Sequence, residues 1–204
     1  TVRTHGMGES FLAEVIKSWE NNLLKEDLKL AYLPSPGIVK LRISIVGKDK
    51  ASSEEKLNYY VSELIKLIPD QIYGYGNSSM EGVVGELLVE NNQTLSTAES
   101  CTGGNVSKML TSISGSSSFF NGSIISYSNL SKSELLDVNK KNIEKYGAVS
   151  QQVVEQMAVN VRLKFNSDYG ISTSGIAGPS GGTAEKPVGT VWIAVANKDK
   201  VISK

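Results

Sequence analysis

The chain has 204 residues, enough for one large domain or for a medium domain with a small companion. Its 40% hydrophobic and 21% charged content is that of an ordinary globular chain, not of a disordered one. Lys plus Arg and Asp plus Glu are balanced at 21 each, which argues against nucleic acid as main partner, and one cysteine with one histidine excludes both an internal disulfide and a typical structural zinc site.

No stretch reaches the length of a membrane span, and the opening TVRTHGMGES lacks the apolar core of a signal peptide. The expected compartment is therefore the cytoplasm. The Asn-x-Ser/Thr triplets at Asn77, Asn92, Asn121 and Asn129 are then chance matches.

Residues 8–30 read as one helix, with Phe11, Leu12, Val15, Ile16 and Trp19 on one face. Pro34, Pro36 and Gly37 break the chain. Ile38 to Val46 alternates, with Val39, Leu41, Ile43 and Ile45 on the apolar side, as in a half-buried strand. Ser52 or Ser53 should cap a helix that carries Leu57, Val61, Leu64, Ile65 and Ile68. A short strand follows at 72–75, and 74–79 is the best linker. The chain accordingly divides at 76/77, with a small α/β unit over 1–76 and a larger one over 77–204.

In the larger part, Met80, Val83, Val84, Leu87 and Leu88 form a helix. Then follow strand 94–98, helix 104–113, strand 122–128, helix 132–138, helix 151–166, strand 169–174, a glycine-rich loop, strand 190–197 and a last strand from Val201. Alternation of this kind argues an α/β sandwich, without fixing its strand order.

Two segments carry chemistry. Thr97-Ala98-Glu99-Ser100-Cys101-Thr102-Gly103-Gly104 is a strand that turns through hydroxyls and paired glycines into a helix. Backbone N–H groups at such a start suit an anion or an oxyanion. Gly175 to Thr183, continuing to Lys186-Pro187-Val188-Gly189, is a second small-residue loop. Neither is a G-x-x-x-x-G-K-[ST] phosphate loop or a G-x-G-x-x-G fingerprint. Ser53-Glu54-Glu55-Lys56 matches S-x-x-K by letter but reads as a helix cap.

The histidine is His5, outside the glycine-rich part, so neither a Ser-His-Asp nor a Cys-His arrangement fits. Lysine is the remaining common base for a serine, provided its pKa of about 10.4 is lowered by burial or positive neighbours. Ser100 at the corner reads as a nucleophile or as a helix N-cap. Cys101 reads as a rival nucleophile or as a small side chain packed under the loop, and the latter is preferred. Lys132, by composition alone, reads as a solvated lysine in a first helical turn.

The blocks TAESCTGG (97–104), SGSSSFFNGSIISYSN (114–129), YGAVS (146–150) and SGIAGPSGGTAEKPVGTVW (174–192) resemble the C-terminal amidohydrolase domain of the CinA (competence/damage-inducible) family, which includes nicotinamide mononucleotide deamidase. RTHGMGES (3–10) and YLPSPG (32–37) resemble that family's middle, KH-like segment. The resemblance implies a layered sheet-and-helix α/β domain preceded by a small α/β domain. It also implies a further strand and closing helix after Lys204, so that the larger domain is shortened at its C-terminus.

Carried onto this sequence, the resemblance makes Ser100 the nucleophile and Lys132, in the intact SYSN-x-x-K pattern of 126–132, its base. Tyr127 would relay a proton or hold the lysine; strand-end packing is the competing reading. Thr102, Gly103 and Gly104 would shape the turn and offer donors. Asn129 would bind the carboxamide or fix the loop. Gly175, Gly178, Thr183 and Lys186 would form a second donor loop, with Lys186 as phosphate contact or plain surface cation. Glu99 would orient the turn or Lys132, or form a buried ion pair. The implied reaction is hydrolysis of nicotinamide mononucleotide, or a related pyridine nucleotide, with no metal or organic cofactor and with homodimerisation. The rival is a non-catalytic nucleotide-binding or scaffold module in competence or DNA damage response. A third reading gives the small unit an RNA-binding role, although Gly47-Lys48-Asp49-Lys50 lacks the second glycine of a G-x-x-G loop.

Overall fold

The computed structural model describes residues 1–204 and falls into two compact units, Thr1–Val83 and Val84–Lys204. The division lies inside helix α3 (Met80–Glu90), a few residues beyond the linker that composition marks.

In the first unit, strand β1 (Val2–His5) leads into helix α1 (Glu9–Lys25). Leu12, Ile16, Trp19 and Leu23 recur one turn apart on α1 and are buried. The helix stops earlier than its apolar period suggests. Asp27 adopts a left-handed φ of 60°, and the chain reverses into strand β2 (Leu28–Ser35). Leu28 and Leu30 fit either period, so the sequence could not separate the two elements. Pro34 does not break the chain: it lies in β2, an edge strand, where a missing N–H breaks no ladder bond.

Strand β3 (Ile38–Ile45) buries Val39 and Leu41 as the alternation requires. Helix α2 (Lys50–Leu67) is capped by Asp49, whose carboxylate accepts the Ser52 N–H at 2.9 Å, and not by Ser52 or Ser53. Strand β4 (Ile72–Tyr75) completes an antiparallel sheet in the order β2-β3-β1-β4. This β-α-β-β-α-β path is the split β-α-β arrangement. Both helices cover one sheet face, around Leu12, Ile16, Leu23, Leu41 and Leu64.

The second unit continues with strand β5 (Leu95–Glu99), helix α4 (Asn105–Thr111), strand β6 (Phe120–Ile125) and helices α5 (Asn129–Leu136), α6 (Lys140–Tyr146) and α7 (Gln151–Lys164). Strands β7 (Tyr169–Gly175), β8 (Val191–Ala196) and β9 (Val201–Ser203) follow. The sheet order is β6-β5-β7-β8-β9, parallel through the first three and antiparallel thereafter. Helix α6, short and only one turn from α5, is an element that the sequence reading merges into a loop. No helix is long and apolar enough to cross a membrane.

Helix α7 packs on the sheet through Val154 and Ala158 against Ala194 and Ala196, small residues that allow close approach. At Gly170 in β7, an added Cβ would lie 2.1 Å from the Ala158 carbonyl oxygen of α7. The opposite face is covered by Leu88, Leu110 and Phe119. Overpacking of a closed contact costs about 1–3 kcal/mol. Gly170→Ala, which meets backbone rather than a movable side chain, should lower the thermal midpoint by several degrees in calorimetry.

Candidate active site

Three parallel strands end side by side, β5 at Glu99, β6 at Ile125 and β7 at Gly175. The carboxyl ends of parallel strands are where open α/β sheets gather their ligand contacts. Ser100 leaves the sheet here, and its N–H donates to the Thr173 carbonyl at 3.0 Å. The Ser126 N–H donates to the Glu99 carbonyl at 2.8 Å. These two bonds hold the Glu99–Ser100 peptide between β7 and the end of β6, and so fix the entry to Ser100, which is 7% exposed.

Lys132 reaches Ser100 because of a local cap. The Ser128 hydroxyl accepts the Ser131 N–H at 3.0 Å, and the Ser131 hydroxyl accepts the Ser128 N–H at 3.0 Å. This reciprocal cap starts α5 at Asn129, so Lys132 lies one turn in, on the buried side with Leu136. Lys132 is only 1% exposed. Its Nζ lies 2.9 Å from Ser100 Oγ, 2.8 Å from the Ser126 carbonyl oxygen and 3.4 Å from that of Tyr127. No carboxylate pairs with it.

Burial holds the Lys132 pKa below the ordinary lysine value, with a smaller opposing pull from the Cys101 sulfur when ionised. The partners suit a neutral amine. Two carbonyls can only accept, so they take its two hydrogens and leave the lone pair to face the Ser100 hydroxyl. After proton transfer, the third hydrogen of the ammonium points at the Ser100 oxygen. Both protonation states find partners.

Glu99, 1% exposed, contacts the turn and not the lysine. Its carboxylate accepts the N–H groups of Gly104 (3.0 Å), Val106 (3.0 Å) and Ser107 (2.7 Å) at the start of α4. Burial works to raise its pKa. The amides of Ser107 and Val106 and the hydroxyls of Thr102 and Ser107 outweigh it and hold the carboxyl below its usual value. The expected donors therefore change. Gly104 N–H is taken by Glu99, and Gly103 N–H donates to the Ser100 carbonyl at 3.1 Å. The amides of Cys101 and Thr102 donate to no oxygen of the chain.

Cys101 is partly exposed, and burial pushes its thiol pKa up, with those two amides and Thr173 partly offsetting the rise. A Cβ added at Gly175 would lie 3.0 Å from Cys101 Sγ and 2.9 Å from the Thr190 carbonyl oxygen, so Gly175 makes room for the turn. Thr102 shares a 2.7 Å hydroxyl–hydroxyl bond with Thr173.

Tyr127 meets the lysine through its carbonyl, while its side chain turns outward. It is 74% exposed, so it does not pack on the core, and its hydroxyl makes no bond to Lys132. β6 has ended at Ile125, and the chain turns so that carbonyls, not the ring, meet the amine. Asn129 is exposed on α5 and lines a groove of about 320 Å³ with Ser133, Lys140 and Glu144. Thr183 and Lys186 bond each other rather than the Ser100–Lys132 pair. Lys186 Nζ donates to the Tyr146 carbonyl at 2.6 Å, which ties the loop containing Gly178 to the last turn of α6. Sequence reasoning missed Thr173 and the carbonyl of Ser126, because backbone partners leave no mark on residue type. The Ser126 hydroxyl is buried beside the lysine without a partner.

Comparison with known proteins matches residues 77–204 to the CinA C-terminal domain and residues 1–74 to the damage-inducible protein CinA KH domain. The chain belongs to the CinA family. It is 45% identical to a CinA-like protein of Cytophaga hutchinsonii over 202 residues, 99% of this chain and 48% of that one. With a CinA-like protein of Flavobacterium psychrophilum it shares 46% over 205 residues, 100% and 49% of the two chains. The chain thus spans about half the length of the curated relatives it matches.

Solved CinA-family structures align on part of it. The competence damage-inducible protein A of Klebsiella pneumoniae gives a TM-score of 0.58 at 32% identity, over 59% of this chain and 75% of that one. The competence/damage inducible protein of Agrobacterium tumefaciens gives 0.58 at 32%, over 64% and 82%.

The buried lysine carries a linkage consequence. Its folded pKa lies below its unfolded one, so the unfolded chain binds the proton more tightly and stability rises with pH between the two values. Lys132→Met should therefore raise the thermal midpoint at neutral pH, and the gain should shrink as pH approaches the ordinary lysine range of about 10.4. Glu99 runs the other way. Its lowered pKa gives stability that is present above the carboxylate range and lost as pH falls through the folded value. Glu99→Ala, which strands three amides, should cost about 2 kcal/mol or more in denaturant unfolding and flatten the acid limb.

Proposed function

We propose that the C-terminal domain hydrolyses the carboxamide of nicotinamide mononucleotide, giving nicotinic acid mononucleotide and ammonia. The observation that carries a hydrolytic reading is the 2.9 Å approach of a buried, carboxylate-free Lys132 Nζ to Ser100 Oγ. A serine hydroxyl becomes a nucleophile when an adjacent base removes its proton. The choice of substrate rests on the four sequence blocks shared with the family's amidohydrolase domain.

In this mechanism neutral Lys132 takes the Ser100 proton as Oγ attacks the carboxamide carbon. The carbonyl oxygen becomes an oxyanion, for which the Cys101 and Thr102 amides are the available donors. The tetrahedral centre collapses. The C–N bond breaks, the nitrogen takes the proton from Lys132, and ammonia leaves an acyl ester on Ser100. Lys132, neutral again, takes a proton from water. The hydroxide adds to the ester; as the tetrahedral centre collapses, Lys132 gives its proton to Ser100 Oγ, and the released acid loses its proton to solvent, which restores the hydroxyl and the neutral amine. No metal or organic cofactor enters any step.

Ser100→Ala should abolish ammonia release from nicotinamide mononucleotide while ligand-induced thermal stabilisation persists, since a ligand that binds the folded state raises apparent stability by mass action. Cys101→Ala should retain most turnover. Stabilisation by the nucleotide without ammonia release from the unaltered chain would instead support a non-catalytic binding module. In the active chain, kcat/KM should fall as pH drops below the Lys132 pKa, because the protonated amine cannot act as base. Lys132→Arg should be inactive across the range, since a guanidinium stays charged.

A further inference from the structure

Ser126, the first residue beyond β6, is fully buried and brings three polar groups to the site. Its N–H donates to the Glu99 carbonyl at 2.8 Å, and its carbonyl accepts from Lys132 Nζ at 2.8 Å. Its hydroxyl has no partner. A buried hydroxyl gives up water, and without a bond nothing offsets that loss. Alanine would fill the same space without the cost. Other buried hydroxyls nearby are bonded: Ser172 donates to the Val154 carbonyl at 2.6 Å, Ser174 to the Ala148 carbonyl at 2.8 Å, and Thr173 shares its bond with Thr102.

The resting site does not use this hydroxyl, but the protonated lysine lacks an acceptor that it can supply. Neutral Lys132 has two hydrogens, whereas its ammonium has three and needs three acceptors. The Ser126 carbonyl is a short contact and the Tyr127 carbonyl, at 3.4 Å, a long one. Ser100 Oγ, at 2.9 Å, is the third. It becomes a poor acceptor once it is bonded to the acyl carbon, because an ester oxygen shares its lone pairs with the carbonyl. Ser126 already holds the amine through its main chain, and no bond has to break for its side chain to turn about χ1 between staggered positions. No other group meets the need. Glu99 is bonded to the α4 amides, and Glu134 and Asp137 pair with Lys140 and Lys164. α7 packs beside Leu136 through apolar Val153, Met157 and Val161. Cys101 is the titratable side chain whose charge reaches Lys132, and only as a thiolate.

We propose that Ser126 is a positioning residue whose hydroxyl accepts a hydrogen from the Lys132 ammonium whenever Ser100 Oγ is bonded to the acyl carbon. This deepens the amidase reading and rests on it for the acyl stage. The bond favours the charged lysine. It keeps the proton on the amine, aimed at the site, until the leaving nitrogen collects it in the first half of the reaction and Ser100 Oγ in the second. Ser126 touches neither substrate nor reacting atoms and acts through the lysine.

The test follows the amine directly, by carbon NMR titration of the full 204-residue chain labelled at lysine Cε, the Lys132 resonance being the one that Lys132→Met removes. Ser100→Ala deletes the third acceptor, as acylation does. In that background, Ser126→Ala should lower the Lys132 titration midpoint by about one pH unit, a tenfold loss of proton affinity, because a hydrogen bond to a charged group favours that charge. Ser126→Thr, which keeps the hydroxyl, should restore the midpoint. With Ser100 intact, Ser126→Ala should lower kcat for ammonia release about tenfold and leave KM within about twofold. The substitution removes a hydroxyl without a partner, so the thermal midpoint should hold; should the variant fail to fold, Ser126→Cys, a weak acceptor of similar shape, carries the comparison. The proposal is overturned if the titration midpoint is the same with and without the Ser126 hydroxyl, or if Ser126→Ala turns over as the unaltered chain does. An unaltered chain that releases no ammonia defeats the amidase reading instead, and the titration, which needs no substrate, still decides the role of Ser126.

Discussion

A lysine amine buried without a carboxylate governs the second unit. An isolated ammonium in such a place is costly, so the group favours its neutral form. Everything around Lys132 serves that condition. The Ser128–Ser131 cap sets the helix register that turns it inward. The carbonyls of Ser126 and Tyr127 accept its hydrogens because β6 has stopped pairing at Ile125. Ser100 meets the remaining position because β5 is held between β6 and β7 up to its last residue. Glu99, one residue before the serine, uses the α4 amides to keep the corner rigid.

Much of this was legible in the sequence, and for definite reasons. Alternation in Ile38–Ile45 and the α7 stripe of Val153, Val154, Met157 and Val161 reflect burial directly, so residue type reports them. The shift from strand to helix across Glu99–Gly104 places a hydroxyl at a strand end by spacing alone. What failed to show has a common origin. β2 was absorbed into α1 because Leu28 and Leu30 satisfy both periods, and the deciding feature is the backbone angle at Asp27. The contact of Lys186 does not show because its partner is the main-chain carbonyl of Tyr146, and the exposure of Tyr127 depends on where β6 stops. Backbone acceptors carry no residue signature.

Net charge misleads for a related reason. Summation discards geometry, and in a β-α-β-β-α-β unit geometry sorts side chains into faces. The strands of the first unit carry only cations, while carboxylates such as Glu26, Asp27, Asp49 and Asp70 lie in turns and at helix ends, and the total stays near zero. A balanced composition therefore limits the average field of the protein, not the field above one sheet face.

Two nucleophilic side chains stand at consecutive positions, Ser100 on the lysine and Cys101 beside Gly175. This adjacency has a consequence for chemical labelling. A maleimide or iodoacetamide adduct on Cys101 would fill the space that Gly175 keeps open and displace the turn that carries Ser100. Under the proposed Ser100–Lys132 mechanism, activity would disappear although the sulfur takes no part in bond making. The raised thiol pKa would make that inactivation slow at neutral pH and faster in alkali. Sensitivity to thiol reagents thus reports crowding at this corner, and only an acyl group located on the serine oxygen identifies the attacking atom.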